Sequence, residues 1–109
     1  MPATLVLVRD LMFASKISAT AKAAGAPIEM LRDPATLKDR PGDRLIIDLN
    51  QPGTLDAAIG WKSADPNRQV VAFVSHVDTQ TISQAKSAGI DRILPRSQFV
   101  ASLQALLTK

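Results

Sequence analysis

The sequence predicts a three-layer α/β sandwich in which a five-stranded parallel sheet carries helices on both faces. Three observations predict it: apolar runs recur along the chain, each closes on a charged or polar residue, and each leads into a stretch with helical spacing or a helix cap. Uninterrupted apolar runs suit strands buried on both faces of a parallel sheet, whereas strands with one wet face would alternate.

Leu5-Val6-Leu7-Val8 is the first such run and ends at Arg9-Asp10. Phe13, Ile17, Ala21 and Ala24 then recur at helical spacing up to Gly25, which can take the left-handed conformation that closes a helix. Pro27 to Leu31 reads as a short second strand. Asp33-Pro34 supplies a cap and a proline at the first helical position, but the helix is stunted by the turn Arg40-Pro41-Gly42-Asp43. Leu45-Ile46-Ile47 is the third strand and ends at Asp48. After Gln51-Pro52-Gly53, Thr54 is read as the cap of a helix through Trp61, and Asp65-Pro66-Asn67 breaks the chain again. Val70-Val71-Ala72-Phe73-Val74 is the clearest strand and gives way to Ser75-His76. Asp78 or Thr79 starts a helix ending at Ala88-Gly89, and Ile93-Leu94 makes a fifth strand. Ser97 is read as the cap of a last helix whose Phe99, Leu103, Leu106 and Leu107 share one face. Such strands need right-handed crossovers and helices on both faces, and the flavodoxin-like order 2-1-3-4-5 is the arrangement expected.

The chain has 109 residues, near the modal domain size and too short for two cores, so a single domain over 1–109 is expected. With 46% hydrophobic and 21% charged residues the composition excludes disorder and fibrous repeats. Absence of cysteine excludes disulfides, thiolate metal sites and a cysteine nucleophile, and fits a reducing compartment. The start, Met1-Pro2-Ala3-Thr4, lacks the basic stretch of a signal peptide, and the apolar run after it is far shorter than a membrane span. A cytoplasmic protein without membrane contact is therefore expected. Thirteen basic and ten acidic side chains leave a charge of +3, but the signs alternate, as in Lys38-Asp39-Arg40, so a nucleic-acid partner is not expected.

In an open parallel sheet, function gathers at the carboxyl ends of the strands, where the strand order reverses. Those ends carry Arg9-Asp10, Asp48-Leu49-Asn50, Ser75-His76 and, through Pro95, Arg96. Two carboxylates beside a hydroxyl and guanidinium groups are the material of a divalent-cation or phosphoryl site. Asp10 and Asp48 can offer carboxylates to Mg²⁺, and the backbone of Asn50 a carbonyl.

Val8-Arg9-Asp10, Asp48-Leu49-Asn50-Gln51-Pro52, Ser75, and Ala88-Gly89 through Arg96 resemble the receiver domain of bacterial two-component response regulators, over nearly the whole chain. The resemblance implies a CheY-like fold, Asp48 as acceptor of a phosphoryl group from a histidine kinase, Ser75 as its hydrogen-bonding partner, and Mg²⁺ held near Asp10 and Asp48. It further implies a stand-alone signalling domain in a phosphorelay rather than an enzyme. Dimers or output partners would meet it on the helix after strand four, strand five and the last helix.

The departures point to an atypical receiver or pseudo-receiver. Arg9 replaces one member of the family's acidic pair, Arg96 stands at its lysine, Ser97 at its proline, and Ile93 at its aromatic switch position. A guanidinium about 4 Å from a carboxylate is worth roughly 4 kcal/mol at an effective dielectric near 20, before desolvation. Mg²⁺ binding is therefore expected to be weakened or replaced by Arg9, with Arg9 or Arg96 pairing with Asp48. A degenerate domain that binds partners without phosphorylation is the alternative.

Other classes fare worse. A flavin or nucleotide binder needs glycine or hydroxyl groups after strand one, and Arg9-Asp10-Leu11-Met12-Phe13 has neither. A phosphate-ester hydrolase using Asp48 needs a cap or pocket, for which no insertion is long enough. Each candidate residue also has a plain structural explanation: Asp10 and Ser75 as helix caps, Asp48 as a turn residue, Arg9 and Arg96 as surface arginines whose stems cover apolar area, His76 as a loop residue, and Trp61 as packing.

Overall fold

The structure is a computed structural model describing residues 4–37, 40–74 and 79–108. Five strands, β1 (Thr4–Leu7), β2 (Ile28–Leu31), β3 (Arg44–Asp48), β4 (Gln69–Val74) and β5 (Arg92–Pro95), form one sheet of order β2-β1-β3-β4-β5, and every pairing is parallel. The expected order holds, with strand limits displaced by a residue or two. Between the strands run α1 (Leu11–Ala24), α2 (Thr54–Ala64), α3 (Thr79–Ser87) and, after β5, α4 (Arg96–Thr108). In the β2–β3 connection the expected stunted helix is one 3-10 turn, Pro34–Leu37.

The apolar runs work as two-sided strands. Leu5, Leu7, Leu45, Ile47, Val70 and Ala72 face one layer with Ala58 and Trp61 of α2, Ala85 of α3 and Leu37 of the 3-10 turn. Val6, Ile46, Val71 and Phe73 face the other, with Phe13, Ile17 and Ala21 of α1 and Phe99, Leu103, Leu106 and Leu107 of α4. Phe73 lies 4.7 Å, ring centre to ring centre, from both Phe13 and Phe99, so one aromatic cluster joins the sheet to α1 and α4.

The helix ends explain where sequence reading succeeds and fails. Gly25 takes φ 69°, left-handed, and its N–H reaches the carbonyls of Ala21 and Lys22, closing α1 as expected. Thr54 does not cap α2. The cap is Gly53 at φ 84°, and the Thr54 hydroxyl donates backwards to the carbonyls of Asp48 (2.8 Å) and Gln51 (2.9 Å). Ser97 likewise is no cap, because β5 runs straight into α4 at Arg96 and leaves Ser97 inside the first turn. The other predicted helix start, at Asp78 or Thr79, falls on Thr79 among the described residues.

Gly60 sits in the middle of α2, exposed, and a methyl group built on it meets nothing within 4 Å. Glycine in a helix interior costs roughly 0.5–1 kcal/mol relative to alanine. Gly60→Ala is therefore expected to raise stability by about that amount, a few degrees in Tm, which thermal unfolding followed by circular dichroism would read. An unchanged or lower midpoint would mean that the site is tighter than the structure has it.

Candidate functional site

The strand register brings the predicted residues level. Leu7 pairs with Ile47, Ile47 with Ala72 and Ala72 with Ile93, so the loops leaving the carboxyl ends of these strands emerge at one end of the sheet. There Arg9, Asp10, Asp48, Asn50 and Gln51 line an open notch of about 260 Å³, at the switch point between β1 and β3. Ser75 and His76 lie outside the described residues.

Asp10 is both a helix cap and a charge partner. Its Oδ1 accepts from the N–H groups of Met12 (3.0 Å) and Phe13 (3.1 Å), capping α1, and its Oδ2 accepts from Arg96 Nη2 (3.2 Å). The Phe13 N–H above all, aided by Arg96, holds the carboxyl below the ordinary aspartate value although desolvation opposes it. Arg96 lies with its guanidinium carbon 4.3 Å from the centre of the Phe13 ring and 5.8 Å from that of Phe73, so the aromatic cluster is its platform. Its Nε is buried without an acceptor among the described residues. The expected pairing of Arg9 or Arg96 with Asp48 is corrected accordingly: among the described residues, Arg96 takes Asp10. The reason is position, since the end of β5 delivers Arg96 over α1, on the side of the sheet where Asp10 caps the helix.

Asp48 is half-buried and shaped differently. Its Oδ1 accepts the Asn50 N–H at 2.9 Å. Burial pushes its carboxyl above the ordinary value, against the pull of the Asn50 N–H and the Arg96 charge. Two carboxyls in one notch thus have pKa values displaced in opposite directions.

Gln51 reads in the sequence only as part of a turn, yet it is the joint of the site. It is buried; its Oε1 accepts the Arg9 N–H and its Nε2 donates to the Arg32 carbonyl, both at 3.0 Å, so one amide ties the β3–α2 loop to the ends of β1 and β2. An amide between two strand ends, able to donate and accept at once, was the signal available. The β1 end is thereby fixed, and Arg9 borders the notch.

A divalent cation fits this donor set poorly. Both Asp10 oxygens already accept hydrogen bonds, one from a guanidinium; one Asp48 oxygen is taken by Asn50; and Arg9 adds positive charge to the lining. No group of three or more His, Cys, Asp or Glu suited to a metal occurs among the described residues.

No protein-family model matches the sequence, and no curated protein matches it significantly. Solved structures do. A CheY-like receiver domain protein from Methanospirillum hungatei JF-1 superposes with a TM-score of 0.81 at 10% identity, over 98% of this chain and 94% of that one. The fold is the receiver fold. A receiver domain of the Francisella response regulator 1452 superposes at 0.80 with 18% identity, over 98% and 93%. A response regulator from Burkholderia pseudomallei, whose crystal contains a phosphorylated aspartic acid, a calcium ion and citrate, superposes at 0.79 with 18% identity, and this chain spans 66% of its length. No helix among the described residues is long and apolar enough to cross a membrane.

Proposed function

We propose that this chain is a receiver-like signalling domain with Asp48 as its phosphoacceptor. The observation that carries the reading is Asp48 itself: a half-buried carboxyl at the end of the central strand, opening on the notch, held by one backbone N–H and made more basic by burial. In the transfer, an Asp48 oxygen attacks phosphorus, a P–O bond forms, the P–N bond of a donor phosphohistidine breaks, and the leaving imidazole takes a proton. Such transfer is mostly positioning and charge neutralisation. Arg9 borders the notch, and Arg96, paired with Asp10 beside it, lends a charge that Asp48 feels; the two supply positive charge to the phosphoryl oxygens, in place of most of what Mg²⁺ would give. Ser75 is the proposed hydroxyl partner, and Asn50 the further carbonyl for whatever cation enters. The partner is a histidine kinase or another cytoplasmic signalling protein. The exposed, uncharged side chains Gln80, Ser83, Gln84 and Ser87 on α3, with β5 and α4, form the proposed surface for output or a homodimer.

One observation favours a second reading. Arg96 is already engaged by Asp10 and seated on Phe13, so the domain can be held in one conformation without a phosphoryl group, as a phosphorylation-independent interaction module.

Incubation with acetyl phosphate, with and without Mg²⁺, followed by intact mass spectrometry, separates the two. A phosphoryl adduct that Asp48→Asn removes is the expected result. A folded protein that takes none belongs to the second reading. Asp48→Asn also carries a stability prediction. A carboxyl whose folded pKa is raised loses stability as pH climbs from its unfolded value through the folded one, so at neutral pH Asp48 is a destabilising charge. The variant is expected to melt above the parent at pH 7 and close to it near pH 4. Equal midpoints at both pH values would contradict that assignment.

A further inference from the structure

A second cavity lies away from the notch. Among the described residues of the β2–β3 connection, 32–37 and 40–43, the helical structure is one 3-10 turn that Pro34 begins, with Pro41 beyond it, and a flank of α2 is left open. The result is a groove of about 610 Å³, within the size range of small-molecule sites. Ala57, Gly60, Trp61 and Ala64 of α2 fall at i, i+3, i+4 and i+7 and line one side, and Pro34 and Pro41 line the other.

Two features look built rather than left over. Gly60 costs the helix stability, yet neither a left-handed φ nor a close neighbour requires glycine there; its missing side chain is part of the open space. Arg68 is held rigidly at the end of the groove beyond the helix. Its guanidinium lies 4.5 Å from the centre of the Trp61 ring, with Nε donating to the Gly42 carbonyl (3.1 Å) and Nη1 to the Trp61 carbonyl (2.8 Å). Among the described residues no carboxylate pairs with it, whereas Arg40, also on the lining, is paired with Glu29. A fixed guanidinium with no carboxylate partner among the described residues, at the end of an apolar trough, matches an anionic head on an apolar body. At the opposite end Asp56, in the first turn of α2, repels a second anion.

From these we infer that the groove binds a small amphipathic monocarboxylate, its carboxylate on Arg68 and its apolar part over Gly60 beside Trp61. A partner protein would need a flatter and larger face than this cavity offers.

Trp61 is the only tryptophan in the sequence, so its fluorescence reports the groove directly. The probe is 4-phenylbutyrate, with 4-phenylbutanol and 4-phenylbutylamine as neutral and cationic counterparts. Saturable change with a Kd of about 0.1–1 mM is expected for the carboxylate, with the alcohol about tenfold weaker and the amine silent. Gly60→Leu fills the trough and is expected to abolish saturation without lowering Tm, and Arg68→Met to remove the preference for carboxylate over alcohol. No saturation by about 10 mM, or equal response to carboxylate and amine, overturns the inference. So does a response that survives Gly60→Leu, since that variant blocks the groove whatever happens to Arg68.

Discussion

Phe73→Ala is expected to cost about 3–5 kcal/mol, a large share of the roughly 5–15 kcal/mol that holds a domain of this size together. Phe73 is fully buried in a central strand, pairs in register with Asp48, and contacts the rings of α1 and α4 at once. Removing it opens a cavity that neither helix can fill alone, because Phe13 and Phe99 are themselves 5.7 Å apart and fixed to different helices. Phe73→Leu keeps most of the volume and loses mainly the aromatic pairing, so a loss nearer 1–2 kcal/mol is expected. Urea unfolding at 25 °C measures both. A Phe73→Ala loss under about 1.5 kcal/mol would show that α1 and α4 collapse onto the gap, which close packing opposes. The same substitution takes away part of the platform under Arg96, so a folded variant should also loosen the Arg96–Asp10 pair.

What was legible in the sequence is what short-range chemistry decides. Leu5 to Val8, Leu45 to Ile47 and Val70 to Val74 read as two-faced strands because each apolar run is short for a buried helix and is bounded by charged or turn residues; right-handed crossovers narrowed their order without fixing it. Gly25 and the face of Phe99, Leu103, Leu106 and Leu107 were equally local. Caps were less so. Thr54 and Ser97 both have the right chemistry, but a helix start is settled by the backbone that enters it, and here Gly53 turns the chain in one case and β5 feeds the helix directly in the other.

The notch was legible as a set of residues and illegible as a set of contacts. Register alone brings Arg9, Asp10, Asp48 and Asn50 together. Which arginine meets which carboxylate depends on the face of the sheet each loop leaves from, and Arg96 and Asp10 are 86 positions apart. The groove was hidden for the same reason: a stunted helix is visible in Pro34 and Pro41, but the space it leaves depends on Gly60 and Arg68, residues that read as ordinary until the layers are packed.

Arg9→Asp is expected to turn a poor cation site into a serviceable one. The wild-type notch has two carboxylates, both partly engaged, and a guanidinium on its border. In bulk water two unit charges about 6 Å apart interact by about 0.7 kcal/mol. Exchanging a positive for a negative side chain changes the charge facing a divalent ion by two, which makes four such pairs and about 3 kcal/mol, or about a hundredfold in Mg²⁺ affinity. The backbone need not move, because Gln51 holds residue 9 through its main-chain N–H. Calorimetric titration reads the affinity directly, and Tm reads it independently, since a ligand at a hundred times its Kd stabilises the folded state by about 2.7 kcal/mol. Arg9→Ala should fall between parent and Arg9→Asp, as it removes repulsion without adding a ligand. Equal Mg²⁺ affinity across the three proteins would mean that the Arg9 charge is not felt in the notch, and submillimolar binding by the parent would mean that arginine does not stand in for the metal at all.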